Sequence, residues 1–254
     1  MKFITKDFGN LDYAYIIPIA DLHIGEELFA EKKFIKLRDW ILNTDNAYAV
    51  LVGDLLNCAT KNSKSDIYGE RMNPGEAIKH ADKLLSPIKH RILGSCWGNH
   101  ERRVYRESGV DISEVLADKL GIPYGREGVL YNIKFDRYPQ LRQGKINYTI
   151  YTNHGTGGGR TKSSKVAAVA RLSDLVLADC YVSAHTHLGN GNKDTYIIPD
   201  TRNGKLDFMT MTYVSAGSYL EWGGYAEDGS FPPGKIGTSR IRCDGRRKDL
   251  HVSI

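Results

Sequence analysis

The chain has 254 residues, of which 41% are hydrophobic and 26% charged, and a formal net charge of +5. That composition excludes a disordered polar chain and a small disulfide-stapled scaffold, because a chain this long can bury a sizeable core without crosslinks. The mild basicity suits an anionic substrate but selects none, since many soluble proteins are equally basic.

Residues 1–10 carry charged and polar side chains where a signal peptide needs an apolar core. Residues 13–20 (YAYIIPIA) read as a buried strand, a short aromatic and β-branched run. Apolar residues at near-helical spacing (Phe34, Ile35, Leu37, Ile41, Leu42) predict a helix within 28–42. A second buried strand is expected over 47–52. Residues 57–73 are polar and irregular, which predicts a long loop of the kind that is often functional. Pro74, at the favoured first position, opens a helix through 86. A third strand is expected over 91–96 and a further helix over 111–120. The second half is strand-rich, with candidates at 129–135, 146–152, 180–184, 195–198, 206–215, 237–243 and 250–254, interrupted by one helix over 164–177. Strand–helix alternation followed by a strand-rich half argues for one mixed α/β domain spanning 1–254. Apolar runs reach only strand length, far short of the roughly 20 residues a membrane span needs. Cys58, Cys96, Cys180 and Cys243 form no CxxC motif and are expected reduced and mostly buried. The expectation is a soluble, cytoplasmic protein with no membrane partner.

Five short polar motifs stand out: Asp21-Leu22-His23, Gly53-Asp54, Gly98-Asn99-His100-Glu101, His154, and His185-Thr186-His187. Three of them follow predicted strands, at the sheet edge where ligands collect in open α/β folds. In an extended segment residues i and i+2 point the same way, so Asp21 and His23 can reach one metal together. His185 and His187 can do the same or serve two adjacent metals. Asp54 at a strand end is free to bridge, and Asn99 offers a neutral carbonyl oxygen. Imidazole mixed with oxygen donors suits manganese, iron, cobalt, nickel or zinc better than calcium.

In this order the motifs resemble the calcineurin-like metallophosphoesterase superfamily, with its pattern DxH…GD…GNH[DE]…H…GHxH. The match runs from Asp21 to His187, about two-thirds of the chain. The resemblance implies a four-layer α/β/β/α fold, a central β-sandwich of mixed sheets flanked by helices. It implies two divalent transition-metal ions, manganese foremost, with iron, zinc, nickel or cobalt as alternatives. Asp21, His23, Asp54 and His187 would hold the first ion. Asp54, Asn99, His154 and His185 would hold the second, with Asp54 bridging. His100 would face the scissile phosphate as acid or transition-state stabiliser, and Glu101 would orient His100. A hydroxide bridging the ions would attack phosphorus in line. The chain departs from the pattern at Ala184, where the family has glycine; a positive φ there would add strain.

Protein phosphatases of the superfamily carry an arginine shortly after the GD motif and lack the final histidine. Residues 53–59 here contain no arginine, and His187 is present. The resemblance is therefore to the DNA-repair nuclease and cyclic-nucleotide phosphodiesterase branches, and implies phosphodiester hydrolysis on a nucleotide, DNA or RNA. A phosphomonoesterase acting on a small molecule or phosphoprotein is the alternative. A non-catalytic nucleic-acid-associated subunit is the reading of another class, and predicts eroded ligands that this chain does not have.

Other features have simpler readings. His80, His90 and His251 have no motif around them and are read as structural or surface residues. Asn57 could orient a ligand or the loop that follows. Residues 155–160 (GTGGGR) lack the Lys-Ser/Thr ending of a P-loop, so the glycines are read as letting the backbone pass close to the metals. Arg160 and Lys162 are candidate phosphate contacts. So is Arg102, although Arg102, Arg103 and Arg106 could equally be solvated or paired with acids. The arginines around Asp244-Gly245 fit a solvated hairpin. Tyr219, Trp222 and Tyr225 either line a substrate edge or pack, packing being the simpler reading.

Overall fold

The computed structural model describes residues 1–61, 63, 67–136, 145–157 and 159–254. In its first half, β1 (Lys2–Asp7) and β2 (Tyr13–Ile19) precede α1 (Glu31–Leu42), β3 (Ala47–Val52), α2 (Pro74–Leu85), β4 (Ile92–Cys96), α3 (Asn99–Ser108) and α4 (Ile112–Leu120). The second half runs β5 (Val129–Phe135), β6 (Ile146–Thr152), α5 (Lys162–Ala170), β7 (Cys180–Ser183), β8 (Asn190–Asp200) and β9 (Lys205–Ser215). It closes with β10 (Gly217–Ser218), the short α6 (Tyr225–Asp228), β11 (Gly237–Thr238), β12 (Arg240–Asp244) and β13 (Leu250–Ser253).

Two mixed sheets result. One is five-stranded in the order β13-β12-β2-β3-β4; the other is six-stranded, β1-β5-β6-β7-β9-β8. They pack face to face. Ile16, Val50, Val52 and Leu93 from the first meet Tyr131, Ile133, Phe135, Tyr148, Ile150, Val182 and Val214 from the second. The outer face of the first sheet, with Ile17, Ile19 and Leu51, is covered by Phe34, Leu37 and Ile41 of α1, Ala77, Ala81 and Leu84 of α2, and Leu116 and Leu120 of α4. On the outer face of the second, Tyr151, Tyr181 and Tyr213 pack with Val169 of α5 and with Leu172. The architecture is the expected four-layer α/β/β/α sandwich. Strands β2 and β3 are covered on both faces, which is why they read as continuous apolar runs rather than alternating ones.

Local chemistry explains the helix ends. Asn73 and Glu76 form a reciprocal capping box at α2, with Pro74 opening the helix as expected. Asp111 caps α4 by accepting the Glu114 N–H at 3.1 Å, so the helix begins one residue after the expected start. The helix expected over 164–177 ends as α5 at Ala170 and tightens into a 3-10 turn, Arg171–Asp174.

Four elements differ from expectation for physical reasons. Helix α3 has no apolar stripe to betray it, since Glu101 is its single fully buried residue. Strand β1 is exposed along much of its length and is fixed by parallel pairing with β5. Strand β8 runs well past 195–198, because it zips to β9 from Asn190↔Ser215 out to Asp200↔Lys205. Part of the loop expected over 57–73 lies outside the described residues, and a 3-10 turn, Ile67–Gly69, falls within the rest. All four cysteines are free and buried. Among the described residues no helix is long and apolar enough to cross a membrane.

Candidate metal centre

Strands β2, β3 and β4 run parallel, so the segments after them open on one edge of the sheet. Asp21 and His23 follow β2, Asp54 follows β3, and Asn99 and His100 begin α3 just after β4. The second sheet delivers His154 after β6, and His185 and His187 after β7, to the same edge.

The glycines of the motifs have a packing reason. A Cβ on Gly53, whose φ is +78°, would sit 2.6 Å from the Gly98 Cα, and a Cβ on Gly98 would overlap Asp54 itself. The two segments touch backbone to backbone, which holds Asp54 against the start of α3. Gly155 is likewise needed, with φ +90° and no room for a Cβ beside Ser183 Oγ. Gly158 of the glycine run lies outside the described residues.

The donors converge in two sets. Asp21, His23 and His187 each offer one atom within 4.8 Å of the others, and so do Asp54, His154 and His185. His23 Nε2 faces His187 Nε2 at 3.3 Å, and Asp21 Oδ1 lies 3.4 Å from His187 Nε2. Asp54 Oδ2 lies 3.1 Å from His154 Nε2, and Asn99 Oδ1 is 3.1 Å from the same nitrogen. Each set contains three of the four residues that the motif resemblance implies for one ion. A third set, His23, Asp54 and His100, shares members with both. His100 thus reaches the centre of the cluster, with its Nε2 3.8 Å from Asp54 Oδ2.

The donors reach one another by a backbone route other than the expected strand alternation. Seven non-glycine residues among those described have positive φ, and five are Asp21 (48°), His23 (50°), Asp54 (49°), His185 (65°) and His187 (53°). A left-handed backbone costs a non-glycine residue roughly 1–2 kcal/mol, and strain of this kind concentrates at functional sites. Ala184 is not among the positive-φ residues, so the missing glycine there adds no such strain.

Surrounding hydrogen bonds fix the rings and aim their Nε2 atoms inward. His154 Nδ1 donates to Val52 O at 2.8 Å, His23 Nδ1 to Asn57 Oδ1 at 3.2 Å, and His100 Nδ1 to Asn57 O at 2.9 Å. One residue, Asn57, therefore holds two of the three, through its side chain and its carbonyl. Its amide in turn donates to Glu26 and Glu70. This is the ligand-orienting alternative the sequence left open for Asn57.

Glu101 acts elsewhere than expected. Its buried carboxylate accepts the backbone N–H groups of Asp54 (3.1 Å), Leu56 (2.9 Å) and Gly98 (2.9 Å). It braces the loop that carries Asp54, while His100 is held by Asn57 O and, through its own backbone N–H, by Asp54 Oδ1 at 2.9 Å. Buried on the first turn of its helix, Glu101 reaches back to free N–H groups rather than forward to the His100 ring.

The electrostatics of the cluster favour a cation. Burial disfavours charge on Asp21, yet His187 and His23 outweigh it and hold the carboxyl well below its ordinary range. Asp54 is held down against its own burial by His154 and His100. Burial also opposes charge on His154, but Asp54 and Asp21 outweigh it and raise its pKa to about 10. Burial pushes His100 down to about 3, with Asp54 opposing only in part. Asp21 Oδ1 is buried with no hydrogen-bond partner. Two buried carboxylates, inward imidazole lone pairs and an orphaned oxygen are the donor chemistry of a divalent transition-metal site.

The other candidates sort themselves. Arg160 is exposed and stacks over the Phe231 ring at 5.2 Å. Arg102 is half-buried on α3. Its neighbour Arg103, one turn after His100, feels Asp54, Glu70 and Glu101, and burial lowers its pKa. His80 pairs with Glu31, and His90 and His251 are exposed. The C-terminal basic residues are engaged: Arg246 with Asp12, Arg247 with Asp249, Lys248 with Asp179, Arg242 with Asp244. Tyr219 packs against Phe34, Trp222 is 46% exposed, and the side chain of Tyr225 lies outside the described residues.

Neither a protein-family model nor a curated protein matches this chain. Among solved structures it matches a conserved uncharacterized protein from Streptococcus pneumoniae TIGR4, described as a predicted phosphoesterase. The identity is 11%, the match covers 95% of this chain and 90% of that one, and the TM-score is 0.39. A likeness that low carries no weight for function; the donor set of this chain does.

Proposed function

We propose that this chain is a dinuclear metal-dependent phosphoesterase that hydrolyses phosphodiesters of nucleotides or nucleic acid. The observation that supports this reading is the cluster itself: two three-residue donor sets, linked by a third that joins His23 to Asp54, with five left-handed backbone positions among their members. Asp21, His23, Asp54 and His187 would hold one ion; Asp54, Asn99, His154 and His185 would hold the other, manganese being the first candidate. Two such ions supply charge for the phosphoryl oxygens and a nucleophile at neutral pH. The protein's own part is orientation and proton handling. Asn57 and Val52 fix the tautomers of His23, His100 and His154, and Glu101 anchors the Asp54 loop. His100 presents Nε2 to the reacting phosphate. The anionic ester beside it favours the protonated ring, which places a proton for the leaving oxygen. The diester preference rests on the intact His187 and on the absence of arginine in residues 53–59.

With manganese, purified protein is expected to hydrolyse bis-p-nitrophenyl phosphate at least tenfold faster, in kcat/KM, than p-nitrophenyl phosphate. The opposite preference would make it a phosphomonoesterase. Turnover of neither, with metal bound, would remove the enzyme reading.

A further inference from the structure

Two segments outside the donor set are each tied to its backbone and touch one another. The first is residues 218–236. It starts on a ligand: Ser218 Oγ and the Tyr219 N–H donate to the Asp21 carbonyl at 3.2 and 3.0 Å. It returns to another, since a Cβ on Gly234 would sit 3.2 Å from the His187 carbonyl. The second is Arg160 with the start of α5. That helix is tied to the centre through Lys165, whose Nζ donates to the Thr186 carbonyl, between His185 and His187, at 2.9 Å. The segments join where the Arg160 guanidinium lies over the Phe231 ring. Trp222 is tied to the same point, its indole N–H donating to the Phe231 carbonyl at 2.7 Å, and its ring is nearly half exposed.

An exposed arginine lies over an aromatic ring whose backbone anchors a half-exposed indole. Exposed indole and guanidinium planes at a phosphate-processing edge are the surfaces on which nucleic-acid bases stack. Such stacking is tolerant of sequence, because every base has a π-face. The arginine adds a cation to the platform without an ion pair to any carboxylate within 4 Å among the described residues.

We propose that Arg160, Phe231 and Trp222 form a stacking platform for a nucleobase, which makes the substrate of this centre a nucleotide or a single-stranded nucleic acid rather than a simple alkyl phosphoester. This rests on the phosphoesterase reading for the position of the phosphate, but the platform is a binding surface that can be measured without turnover. Arg160 thereby acts on the base, in place of the phosphate contact its charge suggests.

Calorimetry on manganese-loaded protein separates the two parts of the ligand. Wild-type protein should bind thymidine monophosphate about tenfold more tightly than deoxyribose 5-phosphate. Phe231→Ala and Trp222→Ala should each abolish most of that difference and leave deoxyribose 5-phosphate binding unchanged. Arg160→Lys, which keeps the charge and loses the plane, should weaken the nucleotide as Arg160→Ala does. Equal binding of the two ligands by wild-type protein overturns the platform and leaves the metal centre standing. So does a parallel loss of both ligands in the variants, or a nucleotide affinity that Arg160→Lys preserves. If the protein takes up no manganese, the centre fails instead. Thymidine, which has no phosphate, then decides the platform in chelator-treated protein: its chemical-shift changes should be centred on Trp222 and lost in Phe231→Ala, and their absence from wild-type protein overturns it.

Discussion

Asp54→Asn is expected to leave a folded protein that binds neither ion tightly and turns over a phosphodiester at least about 10⁴-fold more slowly, because the chemistry draws on both ions. The substitution keeps the shape. The asparagine carbonyl can still accept the His100 backbone N–H now received by Asp54 Oδ1, and Glu101 still braces the Asp54 backbone. What changes is the charge. Asp54 Oδ2, 3.1 Å from His154 Nε2 and 3.8 Å from His100 Nε2, becomes an amide donor at the position where two ions would share an anionic ligand. Metal content by inductively coupled plasma mass spectrometry, with circular dichroism as the control for folding, checks this. Retention of two ions by the variant would remove Asp54 from the bridging role.

His100→Ala should behave differently. Turnover should fall by about 10²–10⁴-fold, the contribution of a positioned general acid or base, while metal content stays at the wild-type level. The reason is where the ring sits. It is held from outside by Asn57 O and overlaps the donor sets only through the third group, with His23 and Asp54. The other two sets are complete without it. Measuring kcat and metal content on the same preparation separates the roles. Loss of an ion together with turnover would make His100 a ligand.

The sequence carried the sandwich well where burial writes a pattern. Strands β3, β5 and β6 lie at the residues expected, because each is an apolar or alternating run bounded by turn chemistry. It carried α3 poorly, since a helix of one buried glutamate and many arginines has no periodic stripe to read. It also brought the candidate donors together, but for an incomplete reason. Asp21 and His23 converge through left-handed backbone at both positions, and a sequence does not display φ. Glu101 is the clearest reassignment. Its neighbour His100 invites a pairing, but three backbone donors lie closer to a carboxylate on the first turn of a helix. The dual hold of Asn57 on His23 and His100 was legible only as a polar residue near a motif, because one of its two contacts is made by its carbonyl, which every residue possesses.

In the proposed centre two ions share Asp54. Protein stripped with chelator, dialysed against manganese and freed of excess metal should contain two manganese ions per chain, and its electron paramagnetic resonance spectrum should show an exchange-coupled pair. A single ion per chain, or two ions giving only the six-line signal of isolated manganese, would contradict it.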